Sequence, residues 1–235
     1  ESGTSTRNTG GHRIGIRLDH EFSPSSSILF EPQFNFGGGD FSEFSDFATN
    51  SLGVDGIERK SNKGFNTSYG DNKNWTASGR FLYRQRLGKA GRTLSLNGNY
   101  NFSNNDMTSW NQSLTQVDAD NDNQWDANPD IVNQKYLQNS KSSSLTGRLV
   151  YTEPLMENLY LEASYQYSWS RSNTTKDAFN SAPGFEYGSN YIDYIDKGET
   201  PDPLYSNSIL NKNINQRAGL TFSWQTEKLT AQLGA

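Results

Sequence analysis

Apolar side chains repeatedly occupy every second position of this chain for about ten residues, with polar side chains between them. In the run His12–Phe22, Ile14, Ile16, Leu18 and Phe22 share one parity, and most residues of the other parity are charged. Successive side chains of a β-strand point to opposite faces, so the pattern predicts strands with one apolar and one ionic face. The chain is therefore expected to form a sheet.

The same alternation recurs in eight segments that form four hairpins with short turns. They are 12–22 with 28–36, 75–85 with 92–102, 143–151 with 159–169, and 214–224 with the run that begins at Leu229. Three polar stretches separate the hairpins, 37–74, 103–142 and 170–213, and we expect them to be loops. Short turns at one end and long loops at the other are typical of a transmembrane barrel, with the turns in the periplasm.

The segments have the length needed to cross an outer membrane. Ten residues that rise about 3.3 Å each and tilt by about 40° span about 25 Å. Aromatic residues gather near the segment ends, as at an interfacial girdle; they are Phe22, Phe36, Trp75, Tyr83, Phe102, Tyr151, Trp169 and Trp224. Strands of a soluble sheet are usually about five or six residues long. We therefore expect an all-β protein, an antiparallel transmembrane β-barrel.

The composition agrees with a barrel and excludes several other classes. Hydrophobic residues make up 32% and the mean hydropathy is −0.85, but aromatic residues reach 13%, which is unusual for a disordered chain. A barrel reconciles these values because only the outward half of each strand is apolar. The chain has no cysteine, which excludes disulfides and thiol catalysis, and its net charge of −5 argues against nucleic acid as a partner.

Four short motifs follow one another along the chain. They are GRTLSL at 91–96, YTEPL at 151–155, LYLEASYQY at 159–167 and LYSN at 204–207. In order and spacing the chain resembles the barrel part of TonB-dependent-receptor-like outer-membrane proteins, by motif over 75–235 and by pattern over the first 74 residues. The resemblance implies a Gram-negative outer-membrane location, contact with lipid, and a 22-stranded barrel. It also implies a plug domain and TonB as partners, and a surface lipoprotein as a further candidate.

We treat residues 1–235 as one partial barrel domain, since the final alternating run stops in mid-pattern and the polar faces suit a wide, hydrated lumen. The resemblance favours a receptor that takes up a nutrient in a TonB-dependent manner and captures it with extracellular loops. The alternatives are a structural or partner-binding barrel subunit of a surface complex, and a soluble adhesin. His12 and His20 have no nucleophile nearby in the sequence, so we expect no enzyme activity.

The sharpest local motif is acidic and lies in the second polar stretch. Alternate residues match positions 1, 3, 5 and 9 of a calcium-binding loop, with a backbone carbonyl at position 7. Asn123 stands in place of the usual glycine, and Pro129 occupies position 12, so a neighbouring acid would have to replace glutamate. The predicted Ca²⁺ ligands are Asp118, Asp120, Asp122, Gln124, Asp126 and Asp130. The alternative is an acidic surface loop that binds nothing.

Two further sets of residues have a functional and a structural interpretation. Six arginines point to the polar face by parity: Arg13, Arg17, Arg80, Arg84, Arg148 and Arg217. They could line a path for an anionic substrate, contact a plug, or pair with Asp19, Glu21, Glu31 and Glu162. The aromatic residues Phe41, Phe44, Phe47 and Trp110 could stack on a sugar, a peptide or a partner protein, or could pack to order the loops.

Overall fold

The computed structural model describes residues 2–120, 122, 124–126, 128–182, 194–226 and 230–234, and over this range the protein is one antiparallel sheet. Its ten strands are β1 Ser2–Gly15, β2 Leu18–Ser23, β3 Ser26–Leu52, β4 Glu58–Arg86, β5 Thr93–Val117, β6 Asp130–Met156, β7 Leu159–Asn180, β8 Thr200–Pro201, β9 Asn207–Gln225 and β10 Thr230–Gly234. The all-β antiparallel prediction is confirmed, with 81% of the structure in strands. Within the described residues the sheet does not close on itself.

The strand order follows the chain, so each long strand pairs with its sequence neighbours. The order is β1-β3-β4-β5-β6-β7-β9-β10; β2 continues the line of β1 along β3, and β8 pairs with the distal end of β7. Tight turns join β4 to β5 and β6 to β7, where Gly88, Gly91 and Asn158 adopt positive φ of 64°, 85° and 63°. Among the described residues, no helix has the length and apolar character needed to span a membrane.

The strands are much longer than the alternation predicts, and two of the predicted loops are wrong. β3 to β6 contain 27, 29, 25 and 27 residues. The pairing of β3 with β4 runs without a long break from Ser26–Gln85 to Leu52–Glu58, so most of the stretch 37–74 is strand. β5 and β6 likewise pair through most of 103–142. Of 170–213, the part to Asn180 and the part from Asn207 are strand, and 183–193 lie outside the described residues.

The extension has a simple physical cause. A ladder needs only backbone hydrogen bonds, so Ser, Thr, Asn and Gly can continue a strand where both of its faces are polar. Alternation of apolar and polar side chains marks only the part of a strand whose two faces meet different surroundings. The apolar pattern therefore predicts the segment with one apolar face, and the strand continues beyond it.

The register places the alternating apolar residues on one face of the sheet, called here the apolar face; the opposite face is the polar face. One row joins Ile14, Phe34, Ala77 and Phe102, and another joins Tyr83, Leu96, Leu149 and Tyr165. No second sheet covers this face within the described residues. Phe34 and Leu96 remain 41% and 40% exposed, and Leu18 is 52% exposed.

The upper edge of the apolar face changes level between β4 and β6. Trp75 ends the apolar run of β4 and is in register with Asn104, Lys141 and Asn173 on β5, β6 and β7. The corresponding run of β7 ends at Trp169, four residues before Asn173. The runs of β5 and β6 end at Phe102 and Leu145, two and four residues below the same row. The edge therefore drops by four residues between β4 and β6. It is level from β3 to β4, where Phe36 is opposite Trp75, and from β6 to β9, where Trp169 is opposite both Leu145 and Ile214.

Candidate functional site

The acidic segment between β5 and β6 gathers three of the predicted calcium ligands. One carboxylate oxygen from each of Asp118, Asp120 and Asp122 lies within 4.8 Å of the others. The backbone N–H of Asp122 donates to Oδ1 of Asp118 at 3.1 Å and to Oδ1 of Asp120 at 3.2 Å. Asp118 is buried, with 5% of its surface exposed, whereas Asp120 and Asp122 are exposed. Three such oxygens form part of the set that a hard cation binds.

The other predicted ligands lie around this cluster without joining it. The backbone N–H of Gln124 donates to Oδ1 of Asp122 at 2.7 Å, and Oδ2 of Asp126 accepts from the backbone of Ala119 at 3.3 Å. Asp130 begins β6 opposite Thr115, so the ladder fixes its backbone. Residue 123, at the predicted turn position, lies outside the described residues. The calcium site remains a prediction.

The acidic segment is anchored to the end of β4. The backbone N–H of Asp118 donates to the carbonyl of Ser61 at 3.2 Å. The ring of Trp125 lies 4.9 Å from Nζ of Lys63 and 5.5 Å from Nζ of Lys60, which are cation–π distances. These contacts hold both ends of the acidic turn against the sheet, so its carboxylates project from a supported backbone.

Three of the six arginines on the polar face pair with the predicted carboxylates. Arg17 bonds Glu31 at 2.5 Å and approaches Asp19 at 3.4 Å, and Arg80 bonds the second oxygen of Glu31. Arg148 pairs with Glu162 at 3.4 Å, and Arg13 donates to Gln33 at 2.7 Å. Within the part of the chain that the structure describes, Arg84, Arg217 and Glu21 form no ion pair. Among the described residues, the polar face thus carries ion pairs together with two arginines, Arg84 and Arg217, that form none.

The aromatic residues of the predicted loops pack on the extended sheet. Tyr69 and Trp110 face each other across β4 and β5, with ring centroids 5.1 Å apart and planes 11° apart. Phe44 stacks on Phe65 at 6.1 Å. A Cβ on Gly64 would come within 2.9 Å of the ring of Phe47. These contacts favour ordering of the extension, although Phe44, Tyr69 and Trp110 also line an open groove of about 580 Å³ together with Phe41, Ser42, Asp40 and Asp71.

A lysine that the sequence analysis missed organises the far end of the β6–β7 hairpin. Nζ of Lys135 bonds Asp196 at 2.9 Å and Glu199 at 2.8 Å, and its side chain is 13% exposed. The rings of Tyr194 and Phe179 lie 5.4 and 5.7 Å from the same nitrogen. Burial opposes the charge, but the two carboxylates outweigh it and raise the pKa of Lys135.

Local spacing could not reveal this cluster because Lys135 lies more than 60 residues from both of its carboxylate partners in sequence. A second link nearby joins Gln134 and Asn180 to Oδ2 of Asp202 at 3.1 and 3.0 Å. The segment 194–206 is therefore tied to the ends of β6 and β7 by side chains from both of its halves. Burial, followed by the hydrogen bond to Glu199, raises the pKa of the Tyr194 hydroxyl, so Tyr194 remains a donor.

No family model matches the chain, and no curated protein matches it in sequence.

Proposed function

We propose that this chain is part of the wall of an outer-membrane β-barrel that acts as a TonB-dependent nutrient receptor. In this proposal the apolar face contacts lipid, the polar face lines an enclosed lumen, and the distal half of the sheet stands outside the cell. The observation that carries the membrane part of the proposal is the exposed apolar face, whose edges descend across the strands.

Between β4 and β7 the shift has the size that tilted strands require. Strands spaced about 4.8 Å apart and tilted by about 40° displace a level line by about 4 Å, or about 1.2 residues, per strand. Three steps, from β4 to β7, should displace it by about 3.7 residues. The upper edge moves by four residues, from the row of Trp75 to Trp169, and it does not move between β3 and β4 or between β7 and β9. A flat apolar slab crossed by inclined strands accounts for this.

The lower edge moves in the same direction. Tyr83 ends the apolar run of β4 and is in register with Tyr165 of β7. β7 remains apolar on this face to Leu161 and Leu159, at least four residues closer to the short turn. The band therefore keeps its height while it descends across the sheet. The core of a sandwich would be covered by a second sheet, and the described residues form one sheet only.

The free edges of the sheet also favour a barrel. Within the described residues, β1 pairs with a strand on one side only, and so does β9 from Asn207 to Leu220. Unpaired backbone groups are costly in lipid, and barrels remove them by closure. Further strands at these edges would satisfy the backbone. The number of strands in the closed barrel belongs to the proposal, and the family resemblance suggests 22.

The extracellular part of the sheet would carry substrate capture. Sixteen residues of β3, 37–52, continue past Phe36, which corresponds to about 50 Å of strand beyond the apolar band. Three features lie on the part of the sheet beyond the apolar band: the groove beside Tyr69 and Trp110, the acidic cluster, and the segment held by Lys135. Rigid strands rather than flexible loops would position these groups for a ligand.

Conductance of the full-length protein in planar bilayers tests the transport proposal. A receptor with a wide lumen closed by a plug should conduct little at first and then open large, stepwise currents when mild denaturant unfolds the plug. A structural or partner-binding barrel should show no such denaturant-induced step. Absence of bilayer insertion would instead exclude the membrane part of the proposal.

A further inference from the structure

We propose that Lys141, Arg171 and Lys212 form a binding site for the phosphorylated headgroup of a lipid in the outer leaflet. The site, called here the basic patch, lies on the apolar face of β6, β7 and β9. The inference rests on the membrane orientation proposed above. It assigns a ligand to a surface that neither the transport proposal nor the calcium prediction uses.

The basic patch directly borders the apolar band. Arg171 follows Trp169 by two residues on β7, and Lys212 precedes Ile214 by two residues on β9. On β6, Lys141 is four residues from Leu145, with only Ser143 between them on the same face. The three cations are therefore the first charged side chains on their strands above the part of the sheet that would contact acyl chains.

The register brings the three cations together. Arg171 and Lys212 are directly opposite each other on β7 and β9. Lys141 is opposite Asn173, which makes it the diagonal neighbour of Arg171. Directly opposed residues have Cβ atoms about 5 Å apart, and like charges in such a pair are destabilising. The juxtaposition is therefore unfavourable unless an anion lies between the side chains.

The protein does not supply that anion within the described residues. All three side chains are exposed, and none forms an ion pair. The nearest carboxylate on this face is that of Asp106, diagonal to Lys141, and it accepts hydrogen bonds from Asn104 and Asn139. Asp177 lies six residues beyond Arg171. An anionic ligand at this point would supply the missing negative charge.

The position of the patch selects a lipid phosphate as that ligand. Lysine and arginine bind phosphate by charge-assisted hydrogen bonds, and cations at a bilayer surface attract anionic headgroups. A headgroup phosphate is anchored by its acyl chains at the boundary between the apolar band and water. Trp169 and Ile214 would contact those chains while Arg171 and Lys212 bind the phosphate.

Lys73 provides a matched control. Like Arg171 and Lys212, it lies two residues beyond the last apolar residue of its strand, here Trp75, and it is exposed on the same face. However, it is directly opposite Asp106 on β5, and Asp71 lies two residues away on its own strand. Two acidic residues therefore flank Lys73 and would repel an anion, so we expect it to contribute little to the binding of an anionic lipid.

The test measures lipid binding by the full-length protein in phosphatidylcholine nanodiscs. Native mass spectrometry would follow the titration of bisphosphorylated lipid A and of the same lipid without phosphates. We expect preferential binding of the phosphorylated form. Binding should weaken by about 100-fold in the combined variant Lys141→Gln, Arg171→Gln and Lys212→Gln, and by about fivefold in a single variant. Lys73→Gln should bind like the wild type.

The outcomes separate this inference from the proposed function. A protein that inserts into nanodiscs but binds both lipids equally, or whose combined variant is unchanged, retains its membrane role and overturns the basic patch. Competition by inorganic phosphate at the lipid's own concentration would also overturn it, since the acyl anchor would then play no part. Failure to insert at all would overturn both the membrane proposal and the inference.

Discussion

Arg92 donates two hydrogen bonds of 2.7 Å, from Nε and Nη2, to the two carboxylate oxygens of Glu153, which lies 61 residues further along the chain. Tyr151 donates a third bond to the same carboxylate at 2.5 Å. Lys89 adds a bond to the carbonyl of Pro154 at 2.6 Å. These bonds join the β4–β5 turn to the end of β6 at the short-turn end of the sheet. Arg92 belongs to the motif GRTLSL, and Tyr151 and Glu153 belong to the motif YTEPL.

These hydrogen bonds should make the free energy of unfolding depend on pH. The hydrogen bonds from Arg92 and then Tyr151 lower the pKa of Glu153 from 4.5 to about 2. Because the pKa is lower in the folded state, the stabilisation is complete above about pH 4.5 and is lost as the pH falls towards 2. Urea unfolding at pH 6 and pH 3 should show that Glu153→Gln is less stable at pH 6 and loses less stability on acidification. An identical loss in both proteins would contradict this.

Two glycines on the apolar face should differ in their tolerance of a side chain. A Cβ on Gly79 would lie 2.7 Å from the hydroxyl of Tyr100 and 2.8 Å from the backbone oxygen of Glu31, whereas nothing lies within 4 Å of a Cβ on Gly147. Gly79→Ala should therefore lower the free energy of unfolding by about 1–3 kcal/mol. The control Gly147→Ala should stay within about 0.5 kcal/mol of wild type. Equal effects in urea titrations would exclude the close Tyr100 contact.

Lys135 should control access to the segment 194–206. Its two carboxylate partners, Asp196 and Glu199, are in this segment, so Lys135→Gln leaves them without their cation. Trypsin should then cut after the exposed Lys197 at least several-fold faster, because cleavage follows local opening. Lys73→Gln is the control and should leave the rate unchanged. Slow cleavage in both variants would show that the contacts to Asp202 hold the segment alone.

The acidic cluster should respond to calcium. Chymotrypsin can cut after Trp125, which is next to Asp126 and three residues after Asp122. Bound Ca²⁺ should slow this cut, and Asp118→Asn or Asp120→Asn should remove the protection. Asp130→Asn tests the outermost predicted ligand separately, since Asp130 lies in the β6 ladder. Equal cleavage with Ca²⁺ and with a chelator would rule out the predicted site.

The sequence predicts the sheet because the alternation of apolar residues records which face of each strand meets which environment. Leu96 and Leu149 lie on the same face of the sheet, as their parity implies, and the register makes them cross-strand neighbours. The extensions could not be predicted this way, because residues such as Ser103 and Asn105 have polar surroundings on both faces and leave no period. Ion pairs between residues that are close in sequence can also be predicted. Arg148 and Glu162 are an example, since they lie on the two strands of one hairpin.

Contacts between segments that are distant in sequence could not be predicted from local patterns. Lys135 meets Asp196 and Glu199 only because the segment after β7 returns to the end of β6. The basic patch is a further example, since Lys141, Arg171 and Lys212 lie far apart in sequence and become neighbours through strand register. Conversely, the acidic motif from Asp118 was evident from spacing alone, because its members lie in one turn.

The most direct test of the account is the environment of two adjacent cross-strand pairs, Leu96 with Leu149 and Asn97 with Arg148. Because the chain contains no cysteine, each position can carry a spin label as a single-cysteine variant of the protein reconstituted in a bilayer. Labels at 96 and 149 should collide with oxygen dissolved in the lipid and be shielded from a water-soluble nickel complex, and labels at 97 and 148 should show the reverse. Labels at 96 and 149 that are shielded from both reagents would mean that the apolar face is packed against protein, and would contradict a lipid-facing wall.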